Sequence, residues 1–216
     1  MKYLFSLSPI LVASMLIVVS GCKNPAEGVP EAKIETPTDK QNAGSDAPTS
    51  STVANGRKYP LGSGSSVEFT GSKVTGSHSG GFKSVAGAFT SDGTPENTSL
   101  SVTVDVASMW SDSDRLTKHL SSPDFLDIKK FTSATFRSTA ITPQGGQFSV
   151  SGDLSMHGAT QRLSFPASIT ITADEIKANA EFVIKRFDFG INYPGKADDL
   201  IRDEVVLKVT LEAKAE

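Results

Sequence analysis

Few side chains in this sequence could do covalent or ligand chemistry. A single cysteine, Cys22, stands behind an apolar run from Tyr3 to Ser20, where its sulfur could serve as nucleophile, metal ligand or acylation site. One cysteine excludes an internal disulfide and any thiolate cluster for zinc or iron–sulfur. The three histidines, His78, His119 and His157, show no His-x-x-x-His spacing, so a zinc site would have to gather imidazoles and carboxylates from separate strands. No Gly-x-Ser-x-Gly, Gly-x-Gly-x-x-Gly or phosphate-loop pattern occurs, and Gly62-Ser63-Gly64-Ser65 reads as a turn that lacks the lysine. Arg115 precedes His119 by four residues, so one helix face would project a guanidinium and an imidazole together, a pair suited to an anion. The competing reading has Arg115 paired with Asp112, Asp124 or Asp127, pinning a helix to the rest of the fold. No catalytic residue, metal ligand or cofactor is expected.

Charge narrows the partners further. Lys and Arg number 21 against 24 Asp and Glu, for a net charge of -3, and no basic run exceeds two residues. That is no electrostatic footprint for nucleic acid.

These residues sit in three unlike segments. Residues 1–21 carry Lys2, the apolar run and small residues at its end, the layout of a secretory signal peptide. The run is also long enough to span a bilayer, so an uncleaved anchor is the rival reading. Val19-Ser20-Gly21-Cys22 resembles the bacterial lipobox, in which a peptidase cuts before a cysteine whose sulfur carries a diacylglycerol. Val19 departs mildly from the commoner leucine. The resemblance implies lipid attachment at Cys22, an anchor of two or more acyl chains, and a place in the cell envelope facing the periplasm. Lys23, standing where an inner-membrane retention signal would have aspartate, tilts the expectation toward the outer membrane.

Residues 22–57 hold no aromatic side chain, and only Val29, Ile34 and Val53 are large aliphatics. Such a stretch is expected to be a flexible linker, with a typical reach of roughly 30 to 35 Å. Residues 58–216 carry eleven of the twelve phenylalanines, the tryptophan and all three histidines, and form the expected folded domain.

Within that domain, period-two alternation recurs. Leu100, Val102, Val104 and Val106 share one face, and the pattern returns from Phe148 to Leu154, Leu163 to Ile171, Ile176 to Ile184 and Val205 to Leu211. Strands near 67–74, 82–90 and 132–141 fit more loosely. Pro143-Gln144-Gly145-Gly146 and Ala173-Asp174-Glu175 look like hairpin connections. About eight strands joined by short turns predict an all-β, antiparallel, eight-stranded barrel or a sandwich, with closure favoured because it removes edges. Between Met109 and Pro123 a short helical insertion is expected, capped by Ser111 or Ser113, with Leu116 and Leu120 on one face.

The string from Arg115 to Ser138 carries more than a pattern. Arg115, His119-Leu120, Asp124-Phe125, Phe131 and Phe136-Arg137-Ser138 resemble the YceI-like family of bacterial polyisoprenoid-binding proteins. Three further blocks agree in order: Gly152 to Gly158, Arg186-Phe187-Asp188-Phe189-Gly190-Ile191, and Asp203-Glu204-Val205. Gly64-Ser65, where many members have His-Ser, and Thr132, where a proline is common, are departures. The resemblance covers nearly all of Tyr59 to Ala215. It implies a lipocalin-like barrel whose tunnel takes a long isoprenoid chain, such as a polyprenyl phosphate or a quinone tail.

Such a tunnel needs apolar walls and few directional contacts. The expected wall residues are Phe69, Phe82, Phe125, Phe131, Phe136, Phe148, Phe165, Phe182 and Phe189, each of which could equally be ordinary core. Arg115, His119 and His157 are the head-group candidates. The expected partners are an isoprenoid lipid and, through acylated Cys22, a membrane; a homodimer is left open. The alternatives are a structural or interaction module with a filled barrel and, further off, a metal-dependent enzyme.

Overall fold

The computed structural model describes residues 24–35 and 56–216; Cys22, the apolar run and residues 36–55 lie outside the described residues. The strands are β1 (Lys33–Ile34), β2 (Arg57–Pro60), β3 (Ser66–Lys73), β4 (Gly76–Phe82), β5 (Val85–Ser91), β6 (Thr98–Asp105), β7 (Met109–Ser111), β8 (Ser133–Gln144), β9 (Gln147–Met156), β10 (Ala159–Ile171), β11 (Glu175–Lys185), β12 (Gly195–Lys196) and β13 (Asp199–Lys214). Among the described residues one α-helix, α1 (Asp114–Leu120), interrupts them. Eleven strands follow the order β2-β5-β6-β8-β9-β10-β11-β13-β3-β4-β7, β1 joins β10, and β12 joins β13.

The result is all-β and antiparallel, as the alternation predicts, but the described residues hold thirteen strands, twelve of them from Arg57 onward, where about eight were expected, and the sheet is curled as a half-barrel. The extra strands escape the pattern for physical reasons. β4 reads Gly-Ser-His-Ser-Gly-Gly-Phe and has no apolar alternation, while β1, β7 and β12 have two or three residues each. Curling brings distant segments together: Leu61 donates its amide to Gly87 at 3.0 Å and bridges Ala213 of β13.

The inner face follows the period of two. Leu100, Val102 and Val104 of β6 are buried, as are Ile176, Ala178, Phe182 and Ile184 of β11. Each buried Val, Leu, Ile or Phe side chain of this kind contributes about 1.5–3 kcal/mol. Two tight hairpins set the register of the long strands. Gly145 and Gly146 both have positive φ between β8 and β9, and His157 (φ 50°) with Gly158 (φ 81°) do the same between β9 and β10. Paired positive φ values are what a two-residue turn matching the strand twist requires.

Helix α1 is shorter than the stretch expected to be helical. Ser113 is its N-cap, accepting from the Leu116 amide at 3.4 Å, whereas Met109–Ser111 pair with β4 instead. Leu116, Thr117, His119 and Leu120 are half-buried where the helix meets the sheet.

The stretch expected to be linker along its whole length differs at residues 24–35, which dock on the sheet. Ala32 is buried, and Lys33 and Ile34 pair with Ser164 and Leu163 of β10. Low apolar content did not prevent ordering, because backbone groups rather than side chains make most of the contact.

Candidate functional site

The concave face of the sheet encloses a cavity of about 830 Å³. That lies within the roughly 300–1,000 Å³ of small-ligand pockets. Its walls come from alternate residues of nearly every long strand, so the period of two builds the site as well as the core.

Of the nine phenylalanines expected in the wall, Phe69, Phe82, Phe125, Phe131, Phe136, Phe165 and Phe182 line the cavity. Phe148 and Phe189 do not. Phe189 is buried in a cluster with Leu163, Phe182 and Ile184, and Phe148 packs beside Ile141, Val150 and Ala167. Phe89, buried completely, lines the cavity and was not singled out from the sequence. Its strand, β5, alternates small residues with valine and phenylalanine, which left no strong apolar stripe to read. The aromatic rings form a connected wall: Phe136 to Phe165 at 5.5 Å between centroids, and Phe165 stacked on Phe182 at 4.0 Å.

The cavity also has polar lining residues. Arg115, His119 and His157 all line it, but each in a different bonding state. His119 Nε2 bonds Asp124 Oδ2 at 3.1 Å, and its ring meets Phe125 and Tyr193 edge-on, both at 5.0 Å. His157 Nδ1 bonds the Phe189 carbonyl at 3.0 Å and lies 4.6 Å from the Phe131 ring. Arg115 is exposed and makes no ion pair among the described residues. The expected carboxylates are engaged elsewhere: Asp112 holds His78, and Asp124 holds His119. Ser79's backbone amide, then His78, keep the Asp112 carboxyl below its usual range.

Arg186 sits deeper and is nearly fully buried. Its guanidinium donates to three carbonyls, Arg202 at 3.0 Å, Ile191 at 2.6 Å and Ile201 at 3.1 Å, tying the 186–191 turn to β13. Burial pushes its pKa below the ordinary arginine value, opposed by the nearby Asp203 charge. The register of β3 with β13 shifts here, between Ile201↔Lys73 and Val205↔Gly71. Ser72 and Arg202 lie in that irregular stretch, both lining the cavity, and Ser72 Oγ and Arg202 Nε are buried without a protein partner. Lys73 pairs with Asp199, whose carboxyl that hydrogen bond holds below its usual range.

The charge of the lining is lopsided. Lys73, Arg115, Arg186, Lys196 and Arg202 contribute five cations, and Asp199 is the one carboxylate. Of these, only Arg115 was expected at the site from the sequence; Arg186 stood there only as part of a family block, and Lys73, Lys196 and Arg202 look locally like surface charges. Among the described residues no three His, Cys, Asp or Glu side chains gather as a metal would need, and no helix is long and apolar enough to cross a membrane.

Residues 61–213 match the YceI-like domain. The chain belongs to the YceI-like family. A UPF0312 protein of Pseudomonas putida strain GB-1 is 39% identical over 124 residues, covering 54% of this chain and 65% of the relative, so the match spans just under two thirds of that protein. A UPF0312 protein of Pseudomonas fluorescens strain SBW25 is 34% identical over 137 residues, covering 60% of this chain and 71% of the relative. Among solved structures, a polyisoprenoid binding domain from Saccharophagus degradans superposes with a TM-score of 0.61 at 16% identity, covering 75% of this chain and all of that one. Burkholderia cenocepacia BcnA gives 0.59 at 24%, covering 69% and 96%. At such identities these two structures establish the shared YceI-like fold.

Proposed function

We propose that this protein is a binding protein, not an enzyme, and that its cavity holds the apolar tail of an isoprenoid lipid. The observation that carries the reading is the cavity itself, walled mainly by aromatic and aliphatic side chains with a minority of polar and charged ones. A hydrocarbon tail gains hydrophobic and dispersion energy from such a wall and needs no hydrogen bond. Of the two head groups considered, a polyprenyl phosphate fits better than a quinone, because the lining offers five cations against one carboxylate. The structural-module reading calls for a filled interior, and a cavity of about 830 Å³ counts against it.

The proposed setting is the bacterial envelope, with the chain anchored through acylated Cys22, facing the periplasm and favouring the outer membrane. The support is the lipobox-like Val19 to Cys22 string. Fractionation tests it: Cys22→Ser should move the protein from membranes to the soluble fraction, and unchanged retention would favour an uncleaved anchor.

Gentle purification, organic extraction and mass spectrometry test the ligand. The expected result is a prenyl lipid near one per chain. A delipidated protein that neither carries nor takes up any prenyl lipid would overturn the proposal.

A further inference from the structure

The wall of the cavity is interrupted, and the N-terminal segment fills the gap. The β10–β11 ladder runs only from Ile171↔Ile176 to Ser168↔Asn179. Continued in that register it would pair Ser164 with Val183 and Leu163 with Ile184. Instead Ser164 and Leu163 pair with Lys33 and Ile34, and Val183 bridges Glu31. Ala32 donates to the Val183 carbonyl, Val183 to the Pro30 carbonyl and Glu35 to the Arg162 carbonyl, each at 2.8 Å. Residues 30–35 are thus an inserted strand, antiparallel to β10 and parallel to β11. The flanking side chains Leu163, Phe165, Phe182 and Ile184 all line the cavity. Lifting the strap away would open a slit in the cavity wall.

The strap is held lightly. Ala32 is its one buried side chain, and Lys33 and Ile34 are exposed. Beyond backbone bonds it has the Glu31–Lys185 ion pair at 2.7 Å and a hydrogen bond from the Ser151 hydroxyl to Glu35 at 2.8 Å. One methyl group buries little apolar area against the entropy of ordering six backbone units, and exposed ion pairs add little. The strap also lies outside residues 61–213, the part of the chain that matches the YceI-like domain.

We propose that the seam between β10 and β11 is a lateral portal for the lipid tail, and that residues 30–35 are its displaceable wall strand. This rests on the lipid-binding reading of the cavity. A tail admitted sideways keeps apolar contact along its length as it leaves a bilayer, whereas end-on threading draws it through water. The position of the anchor agrees. Cys22 precedes Pro30, the first strap residue, by eight residues, so even a fully extended chain keeps it within about 30 Å. An acylated Cys22 would therefore tether the strap, and the portal beside it, near the membrane surface.

The test locks the strap. Lys33 and Ser164 are directly opposed, at a separation where a cross-strand disulfide forms. In a Cys22→Ser background, Lys33→Cys with Ser164→Cys holds the only two thiols of the full chain. Uptake of dansyl-labelled geranylgeranyl phosphate from phosphatidylglycerol-containing vesicles is followed by fluorescence. Oxidation should slow uptake at least tenfold, dithiothreitol should restore it, and the affinity reached at long times should stay within twofold. Ala32→Asp, which puts a carboxylate into the buried position, should speed uptake at least threefold and strip hydrogen-exchange protection from the Val183 amide while circular dichroism is unchanged. Equal uptake rates in the locked and reduced forms, with binding intact, would overturn the portal alone. Failure of every form, including the parent, to bind the probe would overturn the lipid-binding reading with it.

Discussion

The rings of Phe165 and Phe182 stack with centroids 4.0 Å apart and planes 10° from parallel, beside a stretch where β10 and β11 no longer pair. The register of the ladder places these two residues opposite one another, so the side chains keep the alignment that the backbones have given up. Phe182 is almost fully buried and Phe165 partly so. Truncating Phe182 to alanine should cost about 3–5 kcal/mol, the range for a buried phenylalanine, read as a lower urea midpoint. A double-mutant cycle with Phe165→Ala should show about 0.5–1.5 kcal/mol of coupling from the stacked pair. Full additivity would mean that the two rings merely share a cavity.

Gly152 is a close-approach position rather than a turn. A Cβ added there would lie 2.4 Å from Phe136 Cζ and 2.5 Å from the Arg137 carbonyl oxygen. Phe136 lines the cavity, so Gly152→Ala should push the ring into the space proposed for the tail. Overpacking of this kind costs about 1–3 kcal/mol. Affinity for the prenyl probe should fall several-fold, and adding Phe136→Leu should recover part of both losses. An unchanged affinity would place the tail away from Phe136.

These two sites show what the sequence made legible. Alternation from Leu100 to Val106 and from Ile176 to Ile184 predicted inner faces, because a sheet packed on one side repeats every two residues. The same rule failed at Gly80 and Gly81 of β4, where the missing side chains admit Phe69 and the Trp110 backbone and indole. It failed again for the strap, whose hold on Val183, Arg162 and Ser164 runs through backbone groups that every residue carries. Arg115 was visible because it lies four residues from His119 on one short helix. Arg186 and Arg202 are brought together by a turn and a shifted register, which no local spacing encodes.

The cation excess gives a selectivity prediction. Arg115 and Arg202 form no ion pair among the described residues, and both line the cavity. Replacing both with glutamine should weaken binding of geranylgeranyl phosphate by tenfold or more, since charge-assisted bonds to phosphate are the stronger kind. Affinity for geranylgeraniol, with the same tail and no charge, should stay within twofold. Equal losses for the two probes would assign these arginines to the scaffold.

Acid should loosen the strap before it unfolds the sheet. Asp153 accepts from Arg162 Nε at 2.8 Å and Nη2 at 2.9 Å, and this hydrogen bonding holds its carboxyl below the usual range. The folded value is thus lower than the unfolded value of about 3.9. The stabilisation is fully present above the unfolded value and is lost as pH falls through the folded one. Both partners are part-exposed, which limits the pair to about 1 kcal/mol or less. Yet Arg162 also carries the carbonyl that accepts the Glu35 amide, and the Glu35 charge helps raise the Arg162 pKa. Protonating Asp153 releases the guanidinium that steadies this end of β10, so hydrogen-exchange protection at the Glu35 amide should fall as pH drops below about 3.9, while the Val206 amide in β13 stays protected. Asp153→Asn should show the weakened Glu35 protection already at neutral pH and little further change with acid. If Glu35 and Val206 instead lose protection together, the strap and the sheet open as one unit.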